Sequence, residues 1–117
     1  FVMKNQVELL SGDRLVDCLN ELKKYNIKFV LLNCNPLDRT IQSMKILADN
    51  WSQGWGIYPN LGIGEPSPDG KIDQTYSNDE FIDVIQKSID IGVNIIGGCC
   101  GSNVNHIKLL YNYINLK

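Results

Sequence analysis

Three of the four cysteines in this chain fall where a sheet could bring their sulfurs together. Cys99 and Cys100 close the run Val93-Asn94-Ile95-Ile96-Gly97-Gly98-Cys99-Cys100-Gly101, and Cys34 follows Ile27-Lys28-Phe29-Val30-Leu31-Leu32-Asn33. The first run carries β-branched residues without a helical period and reads as a buried strand, and the second reads the same way. Neighbouring side chains on a regular strand point to opposite faces. Two adjacent thiols therefore converge on one point only past the strand's end, where the glycines free the backbone. Three thiols at the ends of two strands make a candidate metal site. Inert buried thiols in a tight turn, or a vicinal disulfide between Cys99 and Cys100, are the alternatives. A purely structural zinc site would want a fourth protein ligand. His106, the only histidine, is the candidate, although its place just beyond the glycine turn suits capping or surface packing better.

The 117 residues are enough for one domain or part of one. With 44% hydrophobic and 21% charged residues the composition is that of an ordinary globular protein. The net charge of −2, without a basic run or aromatic platform, gives no footprint for nucleic acid. No apolar stretch approaches the ~20 residues of a membrane helix, and no signal peptide precedes the first element, so no membrane partner is expected. The chain opens on Phe1, not Met, and reads as cut from something longer, with Phe1-Val2-Met3 as the tail of a strand. Cysteines placed on elements and not loops favour a reducing compartment, and cytoplasm is the expected location.

The elements that must position the thiols alternate. Ser11 is placed to N-cap a helix from about Gly12 to Tyr25, with Leu15, Val16, Leu19 and Leu22 as its apolar stripe. Cys18 shares that face and is expected to be a small buried hydrophobe. The strand Ile27–Asn33 follows, then a loop at Pro36. A helix is expected from about Asp38 to Ser52, burying Ile41, Met44, Leu47, Ala48 and Trp51, and Gly54 is its natural stop. Trp55–Asn60 reads as a strand ending near Pro59. Residues 61–77 read as a long loop with turn chemistry at Pro68-Asp69-Gly70. Within it, Gly62-Ile63-Gly64 only echoes a phosphate loop, lacking the Lys and helix start. Ser77 and Glu80 fit a capping box opening a helix with Phe81, Ile82, Ile85 and Ile89 on one face, closed by Gly92. A last helix from about Asn103 should turn Ile107, Leu110, Tyr111 and Ile114 inward. Asp13, Asp38 and Glu65 read as solvated carboxylates, and Trp51 and Trp55 as core or rim.

A helix followed by three strand–helix units implies parallel strands and right-handed crossovers. Parallel strands want both faces covered, and in a barrel the second face is the filled interior. The expected fold is α/β: the C-terminal portion of a (β/α)8 TIM barrel, about three βα units over residues 1–117, with the N-terminal part absent. The cysteines then sit at the C-terminal ends of strands, where ligands bind in such folds.

Asn33-Cys34, Tyr58-Pro59-Asn60 and Gly97-Gly98-Cys99-Cys100-Gly101, followed by His106-Ile107, resemble the C-terminal part of the homocysteine S-methyltransferase family. The resemblance covers nearly the whole chain, from the end of a fifth barrel strand through an eighth helix. It implies that Cys34, Cys99 and Cys100 are zinc-binding thiolates, that Asn60 lies near the metal, and that Tyr58 lines the substrate side. The family's N-terminal acidic–glycine motif for the amino acid has no counterpart here, so the piece alone should be inactive. Three protein ligands leave zinc an open position, which homocysteine's sulfur enters and where it ionises. A free thiol, with a pKa near ~8.5, is mostly protonated at neutral pH. The implied reaction is attack of that thiolate on an electrophilic methyl group to give methionine. The donor stays open among methylfolate through cobalamin, betaine, S-methylmethionine and S-adenosylmethionine. The chain's end at Lys117, just after the last helix, favours a single-domain type over an oligomerising betaine enzyme. A non-catalytic α/β module, with a structural metal or inert thiols, is the alternative.

Overall fold

The computed structural model describes residues 1–64 and 67–116, so the reading of Glu65 lies outside the described residues. Its elements run α1 (Leu15–Leu22), β1 (Phe29–Pro36), α2 (Leu37–Asn50), β2 (Gly54–Asn60), α3 (Asn78–Asp90), β3 (Ile95–Ile96) and α4 (Val104–Asn115). This is the expected helix followed by three strand–helix units. The strands form one parallel sheet in the order β1-β2-β3.

Alternation along the strands divides the sheet into two faces. Val30 and Leu32 of β1 lie beside Trp55 and Ile57 of β2, and all four are buried. They meet Leu37, Met44 and Leu47 of α2 and Phe81, Val84 and Ile85 of α3, with Leu15 and Leu19 of α1 extending the core. Each such side chain contributes roughly 1.5–3 kcal/mol by leaving water. Trp51 and Trp55 belong to this core. The opposite face carries Phe29, Leu31 and Asn33, then Gly56, Tyr58 and Asn60, then Ile95. Among the described residues no helix covers it, and Phe29 and Ile95 stay 50% and 40% exposed.

Several boundaries differ from those the sequence suggests. α1 begins at Leu15, not near Gly12, because Ser11 is not its cap: the Ser11 hydroxyl donates to Asp13, and Arg14 takes the N-cap position without a side-chain bond. Residues 1–14 instead fold back through antiparallel bridges Met3–Leu9 and Glu8–Arg14. Cys18 is half-buried where full burial was expected. α2 starts at Leu37 and ends at Asn50, directly off the strand with no intervening loop at Pro36. Thr40 secures that junction, its hydroxyl donating to the carbonyls of Asn35 and Pro36.

The described residues of the 61–77 stretch form the expected loop, pinned across its base. Gly62 bridges Thr75 antiparallel, Ile63 N–H donates to Gln74 at 2.8 Å and Tyr76 N–H to Leu61 at 2.9 Å. The glycine pair that echoes a phosphate loop is thus one leg of a ribbon. The α3 capping box is as expected, with Ser77 accepting from the Glu80 N–H and Glu80 accepting from the Ser77 N–H. Gly92 follows at φ +90°, a left-handed turn that suits glycine.

α4 departs most. Only Leu110 is buried, while Ile107, Tyr111 and Ile114 are 48%, 66% and 45% exposed. The face that packs is instead that of Leu109, Leu110 and Tyr113, so of the expected stripe only Leu110 turns inward. At the sheet's other edge, Phe1 donates its N–H to Leu31 and accepts from the Asn33 N–H at 2.9 Å, the pattern of a parallel strand beside Leu32. Phe1 thus sits as the expected strand tail does. Among the described residues no helix is long and apolar enough to cross a membrane.

Candidate metal centre

Cys34 does not follow a finished strand, as the sequence suggests; it lies inside β1. By parity it should point with Val30 and Leu32 into the helix layer. The ladder prevents this: Asn33 pairs with Tyr58, but the next pair is Pro36 with Asn60, so β1 carries one extra residue there. Such a bulge re-aims side chains. Cys34 itself takes φ +56°, the one positive φ on a non-glycine among the described residues. The kink turns its sulfur toward the end of β3.

Cys99 and Cys100 arrive from the other side. Past Ile96 the chain keeps its ladder with β2, Gly97 N–H donating to Ile57 and Cys99 N–H to Pro59, both at 2.9 Å. Ser102 then closes a tight turn, with its N–H and hydroxyl both donating to the Cys99 carbonyl, at 3.1 and 2.5 Å. Cys100 is held in turn by the Leu61 N–H, which donates to its carbonyl at 2.8 Å. As expected, the adjacent thiols converge beyond the regular strand.

The three sulfurs lie within 4.8 Å of one another, the one such cluster among the described residues. Cys34 and Cys99 are joined as a disulfide with Cα atoms 5.3 Å apart, and Cys100 Sγ sits 3.4 Å from Cys34 Sγ. The vicinal Cys99–Cys100 alternative is therefore not the bond that forms; the bulge brings Cys34 to Cys99 instead. A disulfide sulfur offers no thiolate, so this pair must be reduced before it can ligate. Once reduced, three soft sulfur donors at one point are the chemistry that selects zinc, copper(I) or iron–sulfur centres over hard cations. The cluster could bind a metal.

His106 stands apart from it. Its Nδ1 accepts from the Asn103 N–H at 3.1 Å in a capping box that opens α4, and its ring packs edge-on against Phe81 at 5.8 Å. It caps, and supplies no fourth ligand. Tyr58 and Asn60 are half-buried on the uncovered face of β2. Tyr58 pairs with Asn33 in the register just below the cysteines. Asn60 lies between Pro59 and Leu61, the two residues bonded to the cysteine turn, and its Oδ1 accepts from the Gly62 N–H at 2.8 Å. Ser102 and Leu61 escaped sequence reasoning. A Ser directly after Cys-Cys-Gly is a turn-closing signal, but a backbone bond from Leu61 leaves no trace in side-chain type. Asn35 was also missed. Buried beside Cys34, it accepts from the Met3 N–H at 2.7 Å and donates to Phe1, so it ties the N-terminal segment to the bulge.

Residues 1–114 match the family described as homocysteine S-methyltransferase. Among curated relatives, selenocysteine Se-methyltransferase of Brassica oleracea var. italica is 28% identical over 95% of this chain and 33% of its own length. Homocysteine S-methyltransferase 1 of Arabidopsis thaliana is 31% identical over 86% and 32%. The metallated form of the homocysteine methyltransferase MmuM from Escherichia coli superposes with a TM-score of 0.77 at 21% identity, over 97% of this chain and 34% of that one. Its oxidized form gives 0.76 at 20% identity, over 95% and 34%. The chain thus spans about a third of the length of the relatives it matches, and its α/β fold is that of a portion of a (β/α)8 barrel. On the match across residues 1–114, the chain belongs to the homocysteine S-methyltransferase family.

Proposed function

We propose that this chain is the C-terminal part of a homocysteine-binding barrel that transfers a methyl group to the thiol of homocysteine, giving methionine, with Zn²⁺ held by Cys34, Cys99 and Cys100 in their reduced form. The convergence of three sulfurs within 4.8 Å at the C-terminal ends of parallel strands carries this reading. When bound, zinc supplies the positive charge that lets a substrate thiol ionise at neutral pH. The chain's own residues do the rest of the work visible here. The β1 bulge and the Ser102-closed turn aim the sulfurs, while Tyr58 and Asn60 line the uncovered face beside them as the substrate side. The apolar faces of Phe29, Leu31 and Ile95 on the sheet, and of Ile107, Tyr111 and Ile114 on α4, suit burial against further strand–helix units.

In the reaction, homocysteine's sulfur forms a bond to the methyl carbon as the donor's heteroatom departs with its electron pair. The partners are homocysteine and a small-molecule methyl donor drawn from betaine, S-methylmethionine, S-adenosylmethionine or methylfolate through cobalamin. No nucleic acid or membrane partner enters, and the location is cytoplasmic. One observation favours a second reading: the Cys34–Cys99 disulfide suits a non-catalytic α/β module whose thiols are crosslinked.

Metal content after purification in excess reductant separates the two. About one zinc per chain, lost in Cys99→Ser, is the expected result and fits a three-thiolate site. A folded, fully reduced protein without zinc would leave the module reading.

A further inference from the structure

The turn that presents Cys100 touches the ribbon after β2 more closely than any side chain could. A Cβ placed on Gly101 would stand 2.7 Å from the nitrogen of Gly62, 3.0 Å from the carbonyl carbon of Leu61 and 3.2 Å from the Gly62 Cα. All three are backbone atoms, which cannot swing aside as a side-chain tip can. The same Leu61 donates its N–H to the Cys100 carbonyl and accepts from the Tyr76 N–H, while Gly62 bridges Thr75 and donates its N–H to Asn60. One hydrogen bond and one backbone-to-backbone contact therefore join the cysteine turn to a ribbon anchored on both legs.

We infer that this ribbon, through the backbone of Leu61 and Gly62, is the positioning element that seats the Cys100 sulfur, and that Gly101 is the residue that permits the seat. The inference rests on the proposed zinc site and adds to it a control from outside the strand ends. Cys34 and Cys99 are aimed by the sheet itself, through the β1 bulge and the Pro59 bond. Cys100 is the exposed member of the three, one residue past that ladder, and the Leu61 bond is what continues the ladder to it. Metal sites depend on such supporting contacts nearly as much as on the ligands.

A bland explanation of Gly101 is its φ of +75°, which alone favours glycine. Gly64 supplies the control, with φ +76° and nothing among the described residues within 4 Å of a Cβ there. Both Gly→Ala variants carry the same backbone strain, and only one disturbs the seat.

The experiment titrates zinc against a chromophoric chelator in the reduced protein, and records the sulfur-to-cobalt charge-transfer band after Co²⁺ loading, for wild type, Gly101→Ala and Gly64→Ala. Expected is a loss of about tenfold or more in zinc affinity with a weakened charge-transfer band in Gly101→Ala, against near-wild-type values in Gly64→Ala. Equal affinity and spectrum in Gly101→Ala overturns the inference, as does an equal loss in both variants. If Gly101→Ala does not fold, Gly62→Ala replaces it, since its Cβ would press on Ile72 at 2.9 Å and on Asn60 Oδ1 at 3.1 Å. A several-fold loss of affinity is then expected, and wild-type affinity ends the inference. Wild type that takes up neither metal refutes the zinc reading itself, and with it this inference; wild type that binds beside an unaffected Gly101→Ala refutes the inference alone.

Discussion

Gly56 and Gly54 lie two residues apart on β2, and their replacement by alanine should have opposite consequences. A Cβ on Gly56 would meet the Ile95 carbonyl oxygen at 2.6 Å, the Ile95 Cβ at 2.7 Å and a Leu31 methyl at 3.2 Å. It is flanked by β1 on one side and β3 on the other, so relief requires moving a strand. Overpacking of this kind costs about 1–3 kcal/mol. Replacing a strand glycine by alanine returns about 0.5–1 kcal/mol through the unfolded chain. The net expectation for Gly56→Ala is a loss of about 1–2 kcal/mol. A Cβ on Gly54 would overlap the Phe29 ring still more closely and stand 3.2 Å from the Lys28 carbonyl oxygen, yet the ring, the nearer obstacle, is half exposed and has open solvent to move into. The net effect of Gly54→Ala should lie within about 0.5 kcal/mol of zero. Urea titrations under reducing conditions, with slopes of about 1–3 kcal/mol/M, should show the Gly56→Ala midpoint falling by roughly 1 M and the Gly54→Ala midpoint almost unmoved. Distance alone predicts the reverse order. If Gly54→Ala is as damaging as Gly56→Ala, the distinction drawn here between a yielding ring and an unyielding strand is wrong.

Two further outcomes are expected. Ser77→Ala removes the acceptor for the Glu80 N–H at the start of α3, and should lower stability by about 1 kcal/mol, seen as a fall of about 4 °C in Tm by circular dichroism. Burial, then the nearby charges of Asp13 and Asp17, raise the Cys18 thiol above the ordinary thiol value. The unfolded chain therefore releases this proton first, so the stability is present in full below about pH 9 and is lost as pH rises through the folded value. Cys18→Ala should flatten the decline in urea midpoint above about pH 9, and an unchanged decline would assign it elsewhere.

Much of the fold was legible because its signals are local. Ser77 with Glu80, the glycine at 92 and the apolar period of α2 each act within a turn or two of chain, so the residues that carry them also mark them. Ser11 misled because its hydroxyl found Asp13, a competing acceptor that type alone does not rank. The period of α4 was legible but not its phase, because the choice between Leu109 and Tyr113 on one side and Ile107 and Tyr111 on the other is made by packing and not by residue type. At the site, the three cysteines were legible as a group, and the reason they meet was not. Residue parity places Cys34 under α2, and only the pairing of Pro36 with Asn60 reverses it. A bulge is a relation between two strands, and the sequence of one strand does not state it.

The left-handed backbone at Cys34 sets chemistry against conformational ease at a single residue. Any L-side chain there is held in a region that disfavours it by roughly 1–2 kcal/mol, and glycine would relieve this while abolishing the sulfur. Selection for stability alone would therefore drift this position toward glycine or asparagine, and a β-branched residue would be excluded by the backbone before its chemistry was tested. A cysteine at φ +56° holds its sulfur in place against a standing conformational cost. On the proposed zinc site, Cys34 is the ligand whose replacement by glycine the backbone itself would reward.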